Sequence, residues 1–386
     1  MFSHDAILTS RPADAALQGK KRILMACPWG PAGGGMYRVV DYLMTQARDQ
    51  KNSSAQLEGL DTRGQGSALS SLKVLARALR TLWQGHRRGD VAGVHIHLAE
   101  RLSLLRKAVL MLACKTLSVP MIVHLHAAQF AQFYERLPRL ARWLTRRILQ
   151  IPPVIVVLGQ ASHRFVTEVL HVPTAKVRIV PNGVPAAPRP RSLQTSVRQI
   201  LFVGNLSERK GVSDLLQALS LPGWDRTHTR VILAGGGDVA GYRHKAQALG
   251  LGDWVEWTGW VERERVAQLM ASADILVLPS YDEGLPLVIL EAMAQAVAVV
   301  CTPVGEIPER IQDGQHALFV APGDPPALAH QLQRLLHDEP LRLQLAQAGQ
   351  RLHSREFSMA RFESRIAKLH QEFFGCSTRK LDSDPN

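Results

Sequence analysis

Ile23-Leu24-Met25-Ala26-Cys27 runs into Pro28, Gly30 and Gly33-Gly34-Gly35, and residues 36–50 then place Val39, Val40, Leu43 and Met44 at helical spacing. A short apolar run, a glycine loop and an amphipathic helix in that order make one strand, loop and helix unit. The pattern repeats. Apolar runs at 91–97, 121–126 and 154–158 follow, separated by longer helical stretches, and a second set stands at 199–203, 230–234, 255–257, 274–278 and 298–301. Such alternation specifies parallel sheets covered by helices on both faces. Between the two sets, Pro185, Pro188 and Pro190 alternate with small or basic residues, which suits an extended connector. The reading is an α/β chain of two tandem doubly wound domains, 20–184 and 199–355, joined by a linker at 185–198. A helix at 356–375 is free to pack back on the first domain, and the last residues read as frayed.

Two domains also suit the length, since 386 residues exceed the roughly 250 to 300 at which a single core stops growing. At 46% hydrophobic and 20% charged, the composition excludes a disordered or fibrous chain. Charge is uneven. Residues 1–190 carry 26 Lys and Arg against 10 Asp and Glu, residues 191–386 carry 20 against 23, and the whole chain is +13. The basic half is therefore expected to meet something anionic, such as a membrane surface, a phosphorylated lipid or a nucleic acid. Cys27, Cys114, Cys301 and Cys376 form no C-x-x-C pair, so no zinc site or disulfide framework is signalled and a reducing compartment fits. Asp5, Arg11 and Asp14 interrupt the stretch where a secretory leader would be apolar, and no apolar run is long enough to span a bilayer.

In open parallel sheets, ligands sit at the carboxyl ends of strands, where helix amino termini offer free N–H groups to phosphate. Three loops of the second half qualify. Gly204-Asn205-Leu206-Ser207-Glu208-Arg209-Lys210-Gly211 follows a strand and combines glycines with adjacent cations, which suits a diphosphate. Gly235-Gly236-Gly237-Asp238 is a second turn of close approach, a weaker signal because glycine runs are often turns only. The third carries Tyr281-Asp282-Glu283-Gly284 between the 274–278 strand and a helix that opens at Leu285-Pro286-Leu287 and contains Glu291. Taken singly, Glu283 would read as a helix cap and Glu291 as a solvated helix residue.

The order of these elements resembles the retaining glycosyltransferases of the GT4 family (group 1 glycosyl transferases), whose fold is the two-domain, Rossmann-like GT-B architecture with an interdomain cleft. The likeness is carried by the 204–211 loop, Val231-Ile232-Leu233-Ala234-Gly235-Gly236-Gly237, Trp257-Thr258-Gly259-Trp260-Val261, Ala273-Asp274-Ile275 and Pro279-Ser280-Tyr281-Asp282-Glu283-Gly284-Leu285-Pro286. Glu283 and Glu291 fill a Glu-x7-Glu element. Weaker echoes stand at Gly33-Gly34-Gly35, His124-Leu125-His126-Ala127 and Val180-Pro181-Asn182-Gly183-Val184, so the likeness covers most of residues 20–375.

The resemblance implies a metal-independent transfer of a hexose from a UDP- or GDP-sugar to a hydroxyl of a saccharide or lipid-linked saccharide, with retention of anomeric configuration, as in bacterial exopolysaccharide or lipopolysaccharide synthesis. By the same resemblance Glu283, His126 and Lys210 form the catalytic group. Lys210 would neutralise the departing diphosphate. Gly284, Leu285, Pro286 and Leu287 would offer backbone N–H groups to sugar and phosphate, Glu283 would face the hexose, and Glu291 would bind the ribose hydroxyls. Gly34 and Gly35 would let the first domain approach the donor, Gly204 would begin the diphosphate loop, and Val261 would lie at the base. Many family members carry arginine where this chain has Asn205, which leaves Arg209 as the alternative source of charge. No cofactor or resident metal is implied; Asp382 and Asp384 in the tail make a poor metal pair.

Around Arg136-Leu137-Pro138-Arg139-Leu140-Ala141-Arg142-Trp143-Leu144, Leu140, Trp143 and Leu144 share a face flanked by arginines, the pattern of an interfacial helix. The same pattern also suits a cationic surface helix packed on the sheet; the expected location is the cytoplasm and, if the helix is interfacial, the cytoplasmic face of the inner membrane. Three alternatives stay open. A nucleotide-sugar epimerase shares the architecture but needs proton-transfer groups at the sugar and no acceptor. A basic nucleic-acid-binding protein would fit the charge, yet no interleaved aromatic and basic stripe is present, so no nucleic acid is expected. A dehydrogenase is disfavoured because the Gly33 loop is not G-x-G-x-x-G.

Overall fold

The computed structural model describes residues 20–30, 34–48, 53–64, 66, 68–126, 129–187 and 197–379. Gly33, Ala127, most of the linker, Asp382 and Asp384 lie outside the described residues.

Two six-stranded parallel sheets form the frame. The first contains β1 (Lys21–Cys27), β2 (Ala55–Asp61), β3 (Val91–Leu98), β4 (Met121–Leu125), β5 (Val154–Val157) and β6 (Val177–Ile179), in the order β2-β1-β3-β4-β5-β6. The second contains β7 (Arg198–Val203), β8 (Thr229–Ala234), β9 (Val255–Gly259), β10 (Ile275–Leu278), β11 (Ala298–Cys301) and β12 (Leu318–Phe319), ordered β12-β11-β10-β7-β8-β9. This is the two-domain α/β GT-B fold. Its central strands are buried on both faces, which is why their sequences are continuous apolar runs.

The first sheet is flanked by α1 (Gly34–Arg48), α2 (Ala68–Arg88), α3 (Leu102–Thr116), α4 (Phe130–Glu135), α5 (Arg139–Leu149) and α6 (Gln160–Arg164). The second is flanked by α7 (Val212–Ser220), α8 (Val239–Ala248), α9 (Arg263–Ser272), α10 (Leu287–Ala294), α11 (Ile307–Arg310), α12 (Pro325–His337) and α13 (Glu339–Leu352). The last helix, α14 (Met359–Phe374), lies on the first sheet: Phe362 sits so close to Gly183 that a Cβ there would be 2.3 Å from it, and His370 is hydrogen-bonded to His95 of β3 at 2.9 Å.

Strand order reverses between β1 and β3 in one sheet and between β7 and β10 in the other. Ligands of open sheets bind at such switch points. The loops leaving these strands are the ones that carry Gly34, the 204–211 turn and Glu283. Three strands have no counterpart in the sequence reading, for physical reasons. β2 is an edge strand whose sequence mixes Gln, Glu and Gly with its apolar residues, and β6 and β12 are three and two residues long, too short to show a period.

Candidate active site

Between the two sheets lies an open cleft. Its wall from the first domain includes Gly34, Gly35 and His126. From the second it includes Gly204, Asn205, Arg209, Lys210, Val261, Glu283 and the Gly284, Leu285, Pro286, Leu287 segment. The geometry thus gathers nearly all the residues singled out from the sequence into one space.

Glycine makes the loop packing feasible. Gly211 ends the turn in the left-handed region at φ 68, and a Cβ there would lie 2.0 Å from the Pro279 carbonyl oxygen. That close approach draws the 204–211 turn against the 279–286 loop, and the Tyr281 N–H donates to the Arg209 carbonyl at 2.8 Å. The Gly235 turn has a structural reason of the same kind, because a Cβ there would strike the Gly204 carbonyl at 1.7 Å. Its glycines serve packing between two loops, Leu206 N–H donating to the Gly236 carbonyl at 2.7 Å.

Lys210 and Glu283 meet. The ammonium pairs directly with the Glu283 carboxylate, which also accepts from the Ser280 hydroxyl at 2.7 Å, while the Arg209 guanidinium stands 4.0 Å from its other oxygen. Both Lys210 and Glu283 side chains are largely shielded from water. The expectation that they address different parts of one donor therefore requires the pair to separate, or to be bridged, when a ligand enters. Arg209 is also anchored by donating to the Asp282 carbonyl at 2.7 Å.

Glu291 is placed elsewhere. Its carboxylate accepts from the Tyr42 hydroxyl at 2.7 Å and pairs with Arg38 at 3.4 Å, both on α1, and it lines a small neighbouring cavity instead of the cleft wall. The Arg263 guanidinium stacks over the Tyr42 ring at 4.3 Å, closing this second cluster.

His126 ends a column of imidazoles. Its Nε2 is 2.8 Å from Nδ1 of His97, its ring stacks on His124 with centroids 4.1 Å apart, and His95 continues the column to His370. Burial pushes His126 down to about 3, so its ring is neutral at pH 7 and acts only as a neutral hydrogen-bonding group. Ring nitrogens of His95, His97 and His124 lie within 4.8 Å of one another, the spacing of a potential metal group. Their planes are stacked at 11 to 27°, however, so the in-plane lone pairs run side by side and do not converge on an ion.

Other contacts escaped the sequence reading. Asn182, buried near the end of the first domain, donates to the Leu285 carbonyl at 2.9 Å and so fixes the loop that follows Glu283. Glu306 accepts from the Ala161 and Ser162 N–H groups at 3.1 and 2.8 Å, and Glu309 accepts from the Gln160 N–H at 2.7 Å. These carboxylates of the second domain cap α6 of the first, where the helix dipole favours negative charge. Only the Pro181-Asn182-Gly183 run gave any signal; the partners of Glu306 are 144 and 145 residues away.

Two family profiles match adjoining parts of the chain. The family 4 glycosyltransferase profile matches residues 43–187, and the group 1 glycosyl transferase profile matches residues 186–352. An uncharacterized glycosyltransferase of Methanocaldococcus jannaschii is 28% identical over 199 residues, which is 48% of this chain and 51% of that protein, so the match spans about half the length of that relative. The alpha-D-kanosaminyltransferase of Streptomyces kanamyceticus is 24% identical over 282 residues, 68% of this chain and 72% of the enzyme. Among solved structures, an Anabaena protein in complex with UDP-glucose superposes with a TM-score of 0.72 at 18% identity, covering 91% of this chain and all of that one, a likeness of fold. The chain belongs to the group 1, family 4 glycosyltransferases.

Proposed function

We propose that the chain is a retaining hexosyltransferase that moves a sugar from a UDP- or GDP-sugar to a hydroxyl of a saccharide or lipid-linked saccharide. The observation that carries this reading is the convergence of Lys210, Arg209, Glu283 and the open helix end at Leu287 on one wall of the interdomain cleft. As the bond from anomeric carbon to phosphate breaks, negative charge accumulates on the diphosphate, and Lys210 with Arg209 stabilises it. No metal takes part in this account, because the two cations supply the charge compensation. The backbone N–H groups after Glu283 receive sugar and phosphate, at an α10 start that Pro286 leaves without a side-chain cap. Glu283 then exchanges its partner Lys210 for a sugar hydroxyl.

The acceptor hydroxyl enters from the first domain, beside His126, attacks the face that the diphosphate leaves, which preserves the configuration, and passes its proton to the departing phosphate oxygen on that face. A neutral His126, oriented through His97, donates or accepts a hydrogen bond there without taking on charge. Glu291 reaches ribose hydroxyls only after Tyr42 and Arg38 release it, which couples its role to movement of α1. The relatives that bear on the donor are the Anabaena fold neighbour solved with UDP-glucose and the kanosaminyltransferase. No described helix is long and apolar enough to cross a membrane. The working place in this reading is the cytoplasmic surface of the inner membrane, to which the arginine-flanked apolar face of α5 would hold the chain peripherally.

A panel of UDP-, GDP- and ADP-sugars should raise the melting temperature with one nucleotide series. With an acceptor present, NMR of the product should show the donor's anomeric configuration, and turnover should persist in chelator. Conversion of the donor without any acceptor would instead identify an epimerase.

A further inference from the structure

The outer surface of α2, α3 and α5 combines exposed apolar side chains with cations. These helices lie side by side over one face of the first sheet, their inner residues Ala78, Leu82, Leu110, Met111 and Leu149 sharing one core. Across their 21, 15 and 11 residues there is no Asp or Glu.

On α3, the middle helix, Leu102, Leu105, Val109 and Leu112 follow one another at spacings of one turn and are all exposed, Leu105 by 63%. Leu140, Trp143 and Leu144 are exposed on α5, and Leu72 and Trp83 on α2. Among the described residues, none covers this stripe. Its flanks are cationic: Lys73, Arg77, Arg80 and Arg87 are exposed on α2, and Arg139 and Arg147 on α5. Arg87 stacks over Trp83 at 4.9 Å and Arg147 over Trp143 at 5.5 Å, so each flanking tryptophan carries a guanidinium on its ring face.

We propose that this three-helix face docks on an anionic lipid bilayer, with the α3 stripe in the interfacial layer and the α2 and α5 cations on lipid phosphates. The arrangement of an aliphatic centre, tryptophans at its border and arginines beyond them matches the sequence of acyl boundary, interface and headgroup met on entering a bilayer. A second copy of the chain is a poor occupant, because it would bring cations against cations with no carboxylate on either side. A nucleic acid is poorer still, since phosphates would meet aliphatic side chains at the centre of the patch.

The docked face reaches the cleft. α3 begins just beyond Ala99 and Glu100, which line the cleft wall, so Leu102 and Leu105 bring the lipid surface to its mouth. Within the transfer reading, on which this step alone rests, the acceptor is therefore of the lipid-linked class and enters from the bilayer.

The test needs no donor, and so fails or succeeds separately from the transfer reading. The full chain is sedimented with vesicles of phosphatidylcholine alone and of phosphatidylcholine mixed with phosphatidylglycerol. Binding is expected on the anionic vesicles, to weaken with salt, and to fall ~10-fold or more in Leu105→Glu/Val109→Glu/Trp143→Glu and in Arg80→Ser/Arg139→Ser/Arg147→Ser. Melting temperature is expected to stay unchanged in both, because all six side chains are on the surface. Equal binding to neutral vesicles, no binding to either, or undiminished binding by a folded variant would overturn the proposal. So would a concentration-dependent dimer, seen in sedimentation velocity, that Leu105→Glu dissociates.

Discussion

Acidification from pH 7 to pH 5 is expected to unfold this protein well before its carboxylates titrate. Burial holds His126 and His370 down to about 3 and His95, His97 and His124 well below the ordinary 6.5. The sign follows from proton counting: below pH 6.5 the unfolded chain binds protons that the folded chain refuses, so stability is full above that value and declines as pH falls toward 3. Each such histidine costs about 2 kcal/mol at pH 5. The five histidines of the column act in the same direction, so the loss is a substantial part of the stability of a domain. Asp282 and Glu363, whose carboxyls burial pushes up, gain on acidification but are outnumbered. Thermal melts across this pH range should show a steep fall, and His124→Phe should flatten it, having removed a ring with neither nitrogen hydrogen-bonded. A melting temperature indifferent to pH between 7 and 5 would mean that the column is protonated or hydrated in solution.

The Lys210 and Glu283 pair should separate stability from catalysis. Lys210→Met leaves a shielded carboxylate facing an apolar chain, at a cost of about 3 kcal/mol. The same change removes the charge proposed to meet the leaving diphosphate, so kcat should drop ~10²–10³-fold. Lys210→Met/Glu283→Gln should regain most of the lost stability, since the unpaired charge is gone, yet recover none of the rate. Denaturant unfolding and initial rates on the same preparations would show this. A double variant that is both stable and active would assign the pair to scaffolding alone.

Much of the frame was legible because buried parallel strands read as unbroken apolar runs, as Val154–Val157 and Ile275–Leu278 do, and because glycine marks the turns that leave them. The site loops were legible for the same reason: each sits at the carboxyl end of such a run. What the linear pattern could not hold was partnership. Lys210 and Glu283 are 73 residues apart, and Tyr42 and Glu291 are 249 apart, so no local period joins them. The histidines of β3 and β4 showed as separate alternating positions, and only the parallel register, which sets His97 beside His124, with His126 just beyond, stacks them into a column. The arginine-flanked face of α5 was visible in its arginines and Trp143, whereas the stripe on α3 gave no separate signal, and only its packing on the sheet fixed which of its apolar residues faced outward.

The most direct test of the account is a crystal structure of the protein soaked with the nucleoside diphosphate that the donor panel selects. The account predicts density in the cleft with the pyrophosphate on Lys210 Nζ and the N–H groups that follow Glu283, the Lys210 to Glu283 contact having opened or been bridged. Nucleotide bound only in the cavity beside Glu291, or density absent from the cleft while that original contact persists, would contradict it.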